Sequence, residues 1–499
     1  MKAFVFVTLK RTARFVASGA VGALIVLIVV FVLHLESRPD LEVWHEAWLD
    51  EEFTTDKPVK TFADYQALES RLFTQLDTEV FERIKPKDQR QINRYHRGSL
   101  SDPGRWPRNW NHTFELTTET PRAGVLLLHG MSDSPYSLRN MGERLHDSGA
   151  WVVGLRLPGH GTAPSGLVDM RYEDMVAAVR LAIEHLRDQV KGQPIYIVGY
   201  SNGGALAVHY ALSAVDDTTL PQVDGLVLIS PSIGVTKMAA LAIWQARLGH
   251  FLGLDKLAWS DILPEYDPFK YGSFAVNAGD QVYRLTNEIH SRFAALDEDE
   301  GLKKFPLVLG FQSVVDATVS TRAVVENLFA QLPEAGHELV LFDINRVSEV
   351  ENVLTSDPKE AINTLLNNPD LGFVVSLVTN RNKSSTDVIL RQKMPGRPEI
   401  TDTPLSMQWP RGLFSLSHVA LPISMDDELY GKPNGVDNSA LHLGNLDLRG
   451  ERGVLQIPAA VMLRLRWNPF YPYIEQRTLN FMHLGGIAPD TGDRSERVD

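Results

Sequence analysis

The chain has 499 residues, of which 44% are hydrophobic and 22% are charged, a composition typical of a folded protein with a large apolar core. Its length predicts about two to four structural units. The formal net charge of −13 argues against a nucleic-acid partner, and the absence of cysteine excludes disulfides, thiolate catalysis and cysteine-based metal sites.

The first element is an apolar run over residues 15–35 that carries no formal charge. Its length is about the 20 residues that a helix needs to cross a bilayer. Basic residues precede it and acidic residues follow it, so the positive-inside rule makes residues 1–14 a cytoplasmic tail and places the rest outside the cytoplasm, in the periplasm if the source is a Gram-negative bacterium. A cleaved signal peptide and a buried soluble helix are the alternatives. We favour a single-pass anchor, because the run is long and no small-residue cleavage site follows it.

Residues 36–112 are predicted to be an appended N-terminal segment. Apolar residues from Phe62 to Leu76 recur at helical spacing, which predicts an amphipathic helix. Residues 95–112 are rich in Arg, Trp, Pro, Gly and Asn and are predicted to be irregular. Their aromatic and arginine side chains either line a site or pack against the core, and we favour packing.

From residue 113 onward, short aliphatic runs alternate with helical patterns. The predicted strands are 124–128, 151–155, 195–198, 226–230 and 307–311, and the helical patterns between them are 137–147, 172–189 and 205–214. This alternation predicts an α/β fold over residues 113–430, with a mostly parallel sheet covered by helices on both faces. Reactive residues of such sheets gather at the carboxyl ends of the strands.

Two stretches interrupt the alternation. Residues 231–304 contain amphipathic patterns at 238–248 and 282–296, between two predicted strands, and are expected to form a helical cap insertion over the strand ends. Residues 347–410 are predicted to be a second insertion with two strand-like runs. Residues 431–499 are predicted to be a C-terminal extension with a disordered end.

A candidate nucleophile lies in Gly199-Tyr-Ser-Asn-Gly203, between a predicted strand and a predicted helix. This G-x-S-x-G pattern is typical of a nucleophile elbow, in which a strained turn exposes the serine hydroxyl. Gly199 and Gly203 leave room where larger side chains would collide with the strand and the helix. The pattern also arises by chance in long chains, so the assignment of Ser201 depends on the residues around it.

A serine hydroxyl needs a base to take its proton and an acid to orient that base. With this motif the partners usually follow in the order Ser, Asp or Glu, His. Asp316, in the loop after the predicted strand 307–311, is the preferred acid, and its other interpretation is the cap of the following helix. Asp343, at the end of the next strand, is the rival acid.

Four histidines downstream of these acids or close to them are candidate bases. His337 precedes a strand and so lies at the wrong end of the sheet, while His442 and His483 lie in the C-terminal extension. His418 lies in a loop that follows a strand and can reach the carboxyl ends of the sheet. His418 is therefore the preferred base, although a single loop histidine is usually a surface residue.

The backbone N–H groups of Asn202 and Met131 are the candidate oxyanion hole, which would stabilise the negative charge of a tetrahedral intermediate. Asn202 follows the nucleophile directly, and Met131 lies in the loop after an early strand. His129 and His160 lie in the loops after the first two strands and are interpreted as structural.

The chain contains, in order, Leu-Leu-Leu-His-Gly-Met, Leu-Pro-Gly-His-Gly, Gly-Tyr-Ser-Asn-Gly-Gly, a Val-Val-Asp loop and Ser-His-Val-Ala-Leu-Pro. This series resembles the α/β-hydrolase superfamily, and within it the serine carboxylesterase and monoglyceride-lipase-like branch. The resemblance covers residues 113–346 and 411–422. It implies Ser201 as nucleophile, His418 as base, Asp316 as acid and a cap domain. The long separation of Asp316 from His418 departs from compact members of the superfamily.

We therefore expect a membrane-anchored serine hydrolase that cleaves carboxylic esters of small molecules or lipids through an acyl-enzyme. The same side chains would also serve acyl transfer, thioester or amide hydrolysis, or perhydrolysis. A non-catalytic, membrane-tethered binding protein is a further alternative. No metal or nucleotide motif is evident in the sequence, so neither a metal nor a cofactor is predicted.

Overall fold

The computed structural model describes residues 2–90, 92–234, 255–296, 301–334, 336–347, 353–355, 357–432, 441–444 and 455–485. Its helices are α1 (Lys2–Ser37), α2 (Val43–Glu46), α3 (Phe62–Glu79), α4 (Arg139–Asp147), α5 (Gly166–Asp169), α6 (Tyr172–Val190), α7 (Asn202–Asp216), α8 (Val276–Ala295), α9 (Thr321–Asn327), α10 (Lys359–Leu366), α11 (Ala459–Met462) and α12 (Tyr471–Phe481). Its strands are β1 (Phe114–Leu116), β2 (Ala123–Leu128), β3 (Ala150–Leu155), β4 (Ile195–Tyr200), β5 (Gly225–Ile229), β6 (Trp259–Asp261), β7 (Phe274–Ala275), β8 (Leu307–Ser313), β9 (Glu338–Phe342), β10 (Val374–Asn382), β11 (Ser385–Lys393) and β12 (Ile400–Gln408).

One ten-stranded sheet dominates the fold, with the order β1-β3-β2-β4-β5-β8-β9-β10-β11-β12. The strands from β3 to β10 in this order are parallel, whereas β1, β11 and β12 run antiparallel to their neighbours. Every residue of β2, β4 and β5 is buried, as expected for aliphatic strands covered on both faces. The predicted α/β architecture with a mostly parallel sheet is therefore confirmed.

Helices cover both faces of this sheet. On one face α6, α7 and α8 contribute Ile183, Leu206 and Leu285 to a single apolar cluster with the strands. On the other face α4 and α12 contribute Leu145 and Ile474 to a second cluster. Each such buried aliphatic side chain contributes about 1.5–3 kcal/mol relative to an exposed one. The sheet is thus a rigid base for the loops at its carboxyl edge.

The strand register brings the carboxyl ends of the central strands to one edge. Leu128 of β2 pairs with Gly199 of β4, and Tyr200 at the end of β4 pairs with Ile229 of β5. Ile229 in turn pairs with Phe311 of β8. The loops that follow these strands therefore emerge side by side, and they carry the residues that the sequence singled out.

The two strand-like runs predicted within residues 347–410 are present as β10 and β11. Their first strand, β10, pairs in parallel with β9, from Val374 opposite Glu338 to Val378 opposite Phe342. β11 and β12 then add two antiparallel strands at the same side of the sheet. The first seven residues of β10 are buried. Their backbone hydrogen-bonding groups are paired with β9 on one side and with β11 on the other, as buried backbone groups require. The segment thus extends the main sheet.

The cap region is described in part. α8 covers most of the helical pattern at 282–296 and packs on α7, whereas the pattern at 238–248 lies outside the described residues. A short hairpin of β6 and β7, which the sequence analysis did not predict, precedes α8.

Residues 36–112 are joined to the sheet by a buried ion-pair network. Arg156, which follows β3, is 1% exposed and binds Glu52 at 2.9 Å and Glu69 of α3 at 3.1 Å. Glu69 also accepts hydrogen bonds from the N–H and the hydroxyl of Thr113. The predicted helix at 62–76 is present as α3, and its polar residues as well as its apolar face hold it against the domain.

Substitution of Arg156 by alanine is expected to lower the free energy of unfolding by about 3–5 kcal/mol, because it leaves buried carboxylates without a counter-charge. Burial raises the pKa of Glu69, but hydrogen bonds from His112 and Thr113 and the charge of Arg156 outweigh it, so the pKa lies below its usual value. The stabilisation by Glu69 is therefore complete above its unfolded pKa of about 4.3 and is lost as the pH falls through the folded value. Urea unfolding near neutral pH and in acid measures both effects.

The matched control is Arg180→Ala on α6. Arg180 forms an exposed pair with Glu184 one turn along the helix, and such pairs contribute about 0.3–0.5 kcal/mol. An equal decrease in the free energy of unfolding of the two variants would contradict a structural role for the Arg156 network.

The predicted membrane span lies within α1. Described side chains of this helix are exposed, among them Phe15, Val21, Ile25 and Val29. Within the part of the chain that the structure describes, we found no helix with both the length and the apolarity required to cross a membrane. The side chains of Leu24, Leu27, Ile28, Phe31 and His34, which belong to the predicted span, lie outside the described residues.

Candidate active site

Ser201 occupies a strained turn between β4 and α7. Its φ of 53° and ψ of −117° lie in a region that residues other than glycine rarely adopt. A Cβ on Gly199 would lie 2.5 Å from the Gly203 carbonyl oxygen, and a Cβ on Gly203 would lie 2.0 Å from the Leu128 carbonyl oxygen. The Ser201 N–H donates to the Ile229 carbonyl at 2.9 Å, which fixes the turn against β5. Both glycines are therefore required by close packing.

The structure brings Ser201, His418 and Asp316 into one hydrogen-bond chain. His418 Nε2 lies 3.0 Å from Ser201 Oγ, and His418 Nδ1 lies 2.8 Å from Asp316 Oδ2. Ser201 is 7% exposed and His418 is 4% exposed. When His418 Nδ1 carries a proton and donates it in a hydrogen bond to the carboxylate, Nε2 is free to accept the serine proton. This is the geometry that base-assisted attack by a hydroxyl requires.

Asp316 is held by several donors in the loop after β8. Its Oδ1 accepts the N–H groups of Thr318 at 2.8 Å and Val319 at 3.0 Å, and Gln312 Nε2 donates to its Oδ2 at 3.3 Å. Burial raises the pKa of this carboxyl, but the hydrogen bond and the charge of His418 and the two amides prevail, so its pKa lies below the usual value. Asp316 therefore remains ionised beside the imidazole.

The alternative candidates for the acid and the base, Asp343 and His337, form hydrogen bonds elsewhere in the structure. Asp343 binds Arg346 at 2.7 Å and accepts the Thr379 hydroxyl at 2.7 Å, which makes it part of a half-buried ion pair next to β10. His337 Nδ1 accepts the N–H of Val308, the second residue of β8, at the opposite edge of the sheet from Asp316. Neither residue contacts Ser201 within the described hydrogen bonds.

His129 and His160 fix the loops after β2 and β3. His129 Nε2 accepts the Leu157 N–H at 3.1 Å, so its proton is on Nδ1, which donates to the Gly130 carbonyl. Burial lowers the pKa of His129 well below its usual value and that of His160 to about 4. Both imidazoles are thus neutral, in keeping with the structural role predicted for them.

The candidate oxyanion donors belong to adjacent loops. Asn202 opens α7, and the close contact between Gly203 and the Leu128 carbonyl sets the start of α7 against the loop that carries Met131. Among the described residues, the N–H groups of Asn202 and Met131 have no protein acceptor. His160 Nε2 lies 3.2 Å from Met131 Sδ and so restrains that side chain. The role of these two amides in charge stabilisation stays a prediction.

A cavity of about 510 Å³ opens beside the hydrogen-bond chain. Ser201 and His418 do not line it, but their chain neighbours Tyr200 and Val419 do, as does Ser132 next to Met131. Its other walls come from residues 261–274 of the cap region and from residues 458–466 of the C-terminal extension. The cavity therefore adjoins the hydrogen-bond chain of Ser201, His418 and Asp316.

The sequence analysis did not predict several residues that lie at this site. Ser232 Oγ lies 3.1 Å from Ser201 Oγ, and the Ser232 N–H donates to the Ser201 carbonyl. The residues of the C-terminal extension that line the cavity also went unnoticed. They lie outside the motifs and carry no sequence pattern of their own, so only the three-dimensional arrangement identifies them.

The family model described as serine aminopeptidase, S33, matches residues 119–343, a region that includes Ser201 and Asp316 and ends before His418. The thermostable monoacylglycerol lipase of Bacillus sp. (strain H-257) is 31% identical over 134 residues, which are 27% of this chain and 50% of that relative. The chain thus spans half the length of this curated relative. The family match and the strand order support the α/β-hydrolase fold that the motifs predicted.

Two solved structures illustrate the similarity. The structure reported for LipS and LipT, two metagenome-derived lipolytic enzymes, has a TM-score of 0.37 and 18% identity, and it covers 51% of this chain and 96% of its own. The monoacylglycerol lipase of Paleococcus ferrophilus has a TM-score of 0.36 and 22% identity, and the match covers 46% of this chain and 88% of that lipase.

Proposed function

We propose that this protein is a serine hydrolase that cleaves carboxylic esters. The observation that carries the proposal is the chain of two hydrogen bonds, 2.8 Å and 3.0 Å long, from Asp316 through His418 to Ser201. The family match and the monoacylglycerol lipase relative support a serine ester hydrolase as well.

In the proposed reaction, Ser201 Oγ attacks the ester carbonyl while His418 Nε2 takes the hydroxyl proton. The ionised Asp316 stabilises the imidazolium that results. The N–H groups of Asn202 and Met131 would donate to the oxyanion of the tetrahedral intermediate, usually the largest contribution to catalysis. His418 then protonates the departing alcohol, and an acyl-enzyme remains. A water molecule, deprotonated by His418, attacks the acyl group and releases the carboxylic acid.

We infer a substrate with a moderately hydrophobic part. The cavity has apolar walls from Leu263, Phe269, Ile423 and Val461, which suit a hydrocarbon chain. The curated relative is a monoacylglycerol lipase, which supports a lipid ester. The test is the hydrolysis of 4-nitrophenyl esters of increasing acyl length by the full chain, with and without the Ser201 hydroxyl.

We further infer that residues 15–35 anchor the protein in a membrane and that the hydrolase domain lies outside the cytoplasm. The basic residues Lys10, Arg11 and Arg14 before the apolar run support this orientation. In a Gram-negative host, alkaline phosphatase fused after Asp499 is then expected to be active and to remain in the carbonate-washed membrane fraction.

Removal of residues 1–35 provides the control for this fusion. The shortened fusion is expected to lose phosphatase activity, because the reporter then stays in the cytoplasm. Phosphatase activity released into the soluble periplasm by the full-length fusion would instead indicate a cleaved signal peptide.

A further inference from the structure

Three cationic and three acidic side chains line the 510 Å³ cavity, and they form two ion pairs among the described residues. The cavity has three cationic side chains, Lys270, Arg464 and Arg466. Lys270 binds Asp133 at 2.8 Å, and Arg466 binds Asp267 at 3.2 Å. Both of these carboxylates are buried, so these two cations are already neutralised within the cavity wall.

Arg464 differs from the other two. Its Nη2 donates to the hydroxyl of Thr318 at 3.1 Å, and it forms no ion pair with a carboxylate among the described residues. The remaining acidic side chain of the lining, Asp261, is exposed, as Arg464 is, and its charge acts on Arg38. A guanidinium has several N–H donors, and most of those of Arg464 are left for another acceptor.

Arg464 is also close to the reacting groups. Thr318, which it contacts, donates its own N–H to Asp316 at 2.8 Å. Tyr200, which directly precedes Ser201, lines the same cavity as Arg464. Burial raises the pKa of the Tyr200 phenol and the charge of Asp133 adds to this, while the positive charge of Arg464 acts in the opposite direction. Arg464 thus lies at the rim between the cavity and the hydrogen-bond chain.

We propose that the cavity binds esters that carry an anionic group, a phosphate or a carboxylate, and that the guanidinium of Arg464 is the counter-charge for that group. Arginine suits this role because its planar donors match both anions in a bidentate manner. The apolar side chains Val419, Ile423 and Val461 line the same cavity and would contact the hydrocarbon part. This inference rests on the proposed ester hydrolase function and specifies its substrate class.

Two matched pairs of esters test the proposal in the full-length protein. One pair is 1-oleoylglycerol and 1-oleoylglycerol 3-phosphate, which places the anion on the alcohol, and the other is 4-nitrophenyl butyrate and 4-nitrophenyl hydrogen succinate, which places it on the acyl group. Arg464→Gln is expected to lower kcat/KM for the anionic member of at least one pair by about 10- to 100-fold. The neutral members should change by less than about twofold, and Arg464→Lys should restore part of the loss.

The control is Arg322→Gln on α9. Arg322 is exposed, pairs with Glu326 and does not line the cavity, so this variant should leave all four rates unchanged. The pair that responds to Arg464→Gln tells whether the anion belongs to the alcohol or to the acyl group. An equal effect of Arg464→Gln on the neutral and anionic members of both pairs would overturn the proposal.

Binding provides a readout that does not depend on turnover. Ser201→Ala protein is expected to bind 1-oleoylglycerol 3-phosphate or the succinate half-ester more tightly than the neutral partner, and the added Arg464→Gln change should remove this preference. If no ester is hydrolysed but the preference is present, the hydrolase function fails and the anion site stands. If hydrolysis depends on Ser201 but neither the rates nor the binding respond to Arg464, the anion site alone is wrong.

Discussion

Ser201→Ala is expected to abolish ester hydrolysis without unfolding the protein. The variant lacks the oxygen that His418 contacts at 3.0 Å, so no acyl-enzyme can form. Loss of the nucleophile in a serine hydrolase lowers kcat by about 10⁴-fold or more, and the residual rate comes from binding and oxyanion stabilisation. The measurement is the initial rate with 4-nitrophenyl butyrate, together with the thermal unfolding midpoint of both proteins.

Ser213→Ala is the matched control for this experiment. Ser213 lies on the same helix, α7, and its hydroxyl donates to the His209 carbonyl one turn earlier. We expect the control to keep the wild-type rate. A Ser201→Ala protein that remains folded and hydrolyses the ester at the wild-type rate would refute the proposed mechanism.

Asp316→Asn is expected to lower kcat by about 10³- to 10⁴-fold with little change in KM. The amide cannot stabilise the imidazolium, and its NH₂ group favours the tautomer of His418 in which Nε2 carries the proton. The N–H donors of Thr318 and Val319 remain to hold the side-chain oxygen, so the loop should keep its shape. The rates at several pH values, each with a saturating ester concentration, measure the effect.

Asp343→Asn, at the rival acid, is expected to show the opposite pattern. Asp343 pairs with the half-buried Arg346 and accepts the Thr379 hydroxyl, so its change should lower the free energy of unfolding by about 1–3 kcal/mol. Its kcat should remain near that of the wild type, because Asp343 forms no hydrogen bond with His418. If Asp343→Asn lowered kcat and Asp316→Asn did not, the acid would have been assigned wrongly.

The central part of the fold could be predicted because local patterns there reflect strict physical requirements. A nucleophile on a turn between a strand and a helix needs small residues on either side, which is why Gly199 and Gly203 are informative. Strands buried on both faces must be aliphatic runs, and β2, β4 and β5 are such runs. Asp316 and His418 were predicted from their loops after strands, from the usual Ser, Asp, His order along the chain, and from the resemblance to the α/β-hydrolase superfamily.

The remaining features depend on contacts between distant parts of the chain. Arg156 does not differ in sequence from a surface arginine, and no local pattern shows that two carboxylates from residues 36–112 will pair with it. The strand-like runs within 347–410 could be recognised, but no local signal showed that β10 would pair with β9. In the same way, Arg464 lies 146 residues from Thr318 and has no motif around it.

The distance along the chain between Ser201 and His418 also bears on when the protein becomes reactive. The two residues are 217 positions apart, and the strands β5 and β8 to β12 are synthesised between them. A chain emerging from the ribosome therefore carries its serine long before it carries the histidine that activates it. Under the proposed mechanism the hydroxyl is an ordinary alcohol during that interval, so a partly synthesised chain is expected not to attack neighbouring esters. Any fragment that ends before residue 418 is expected to be inert for the same reason.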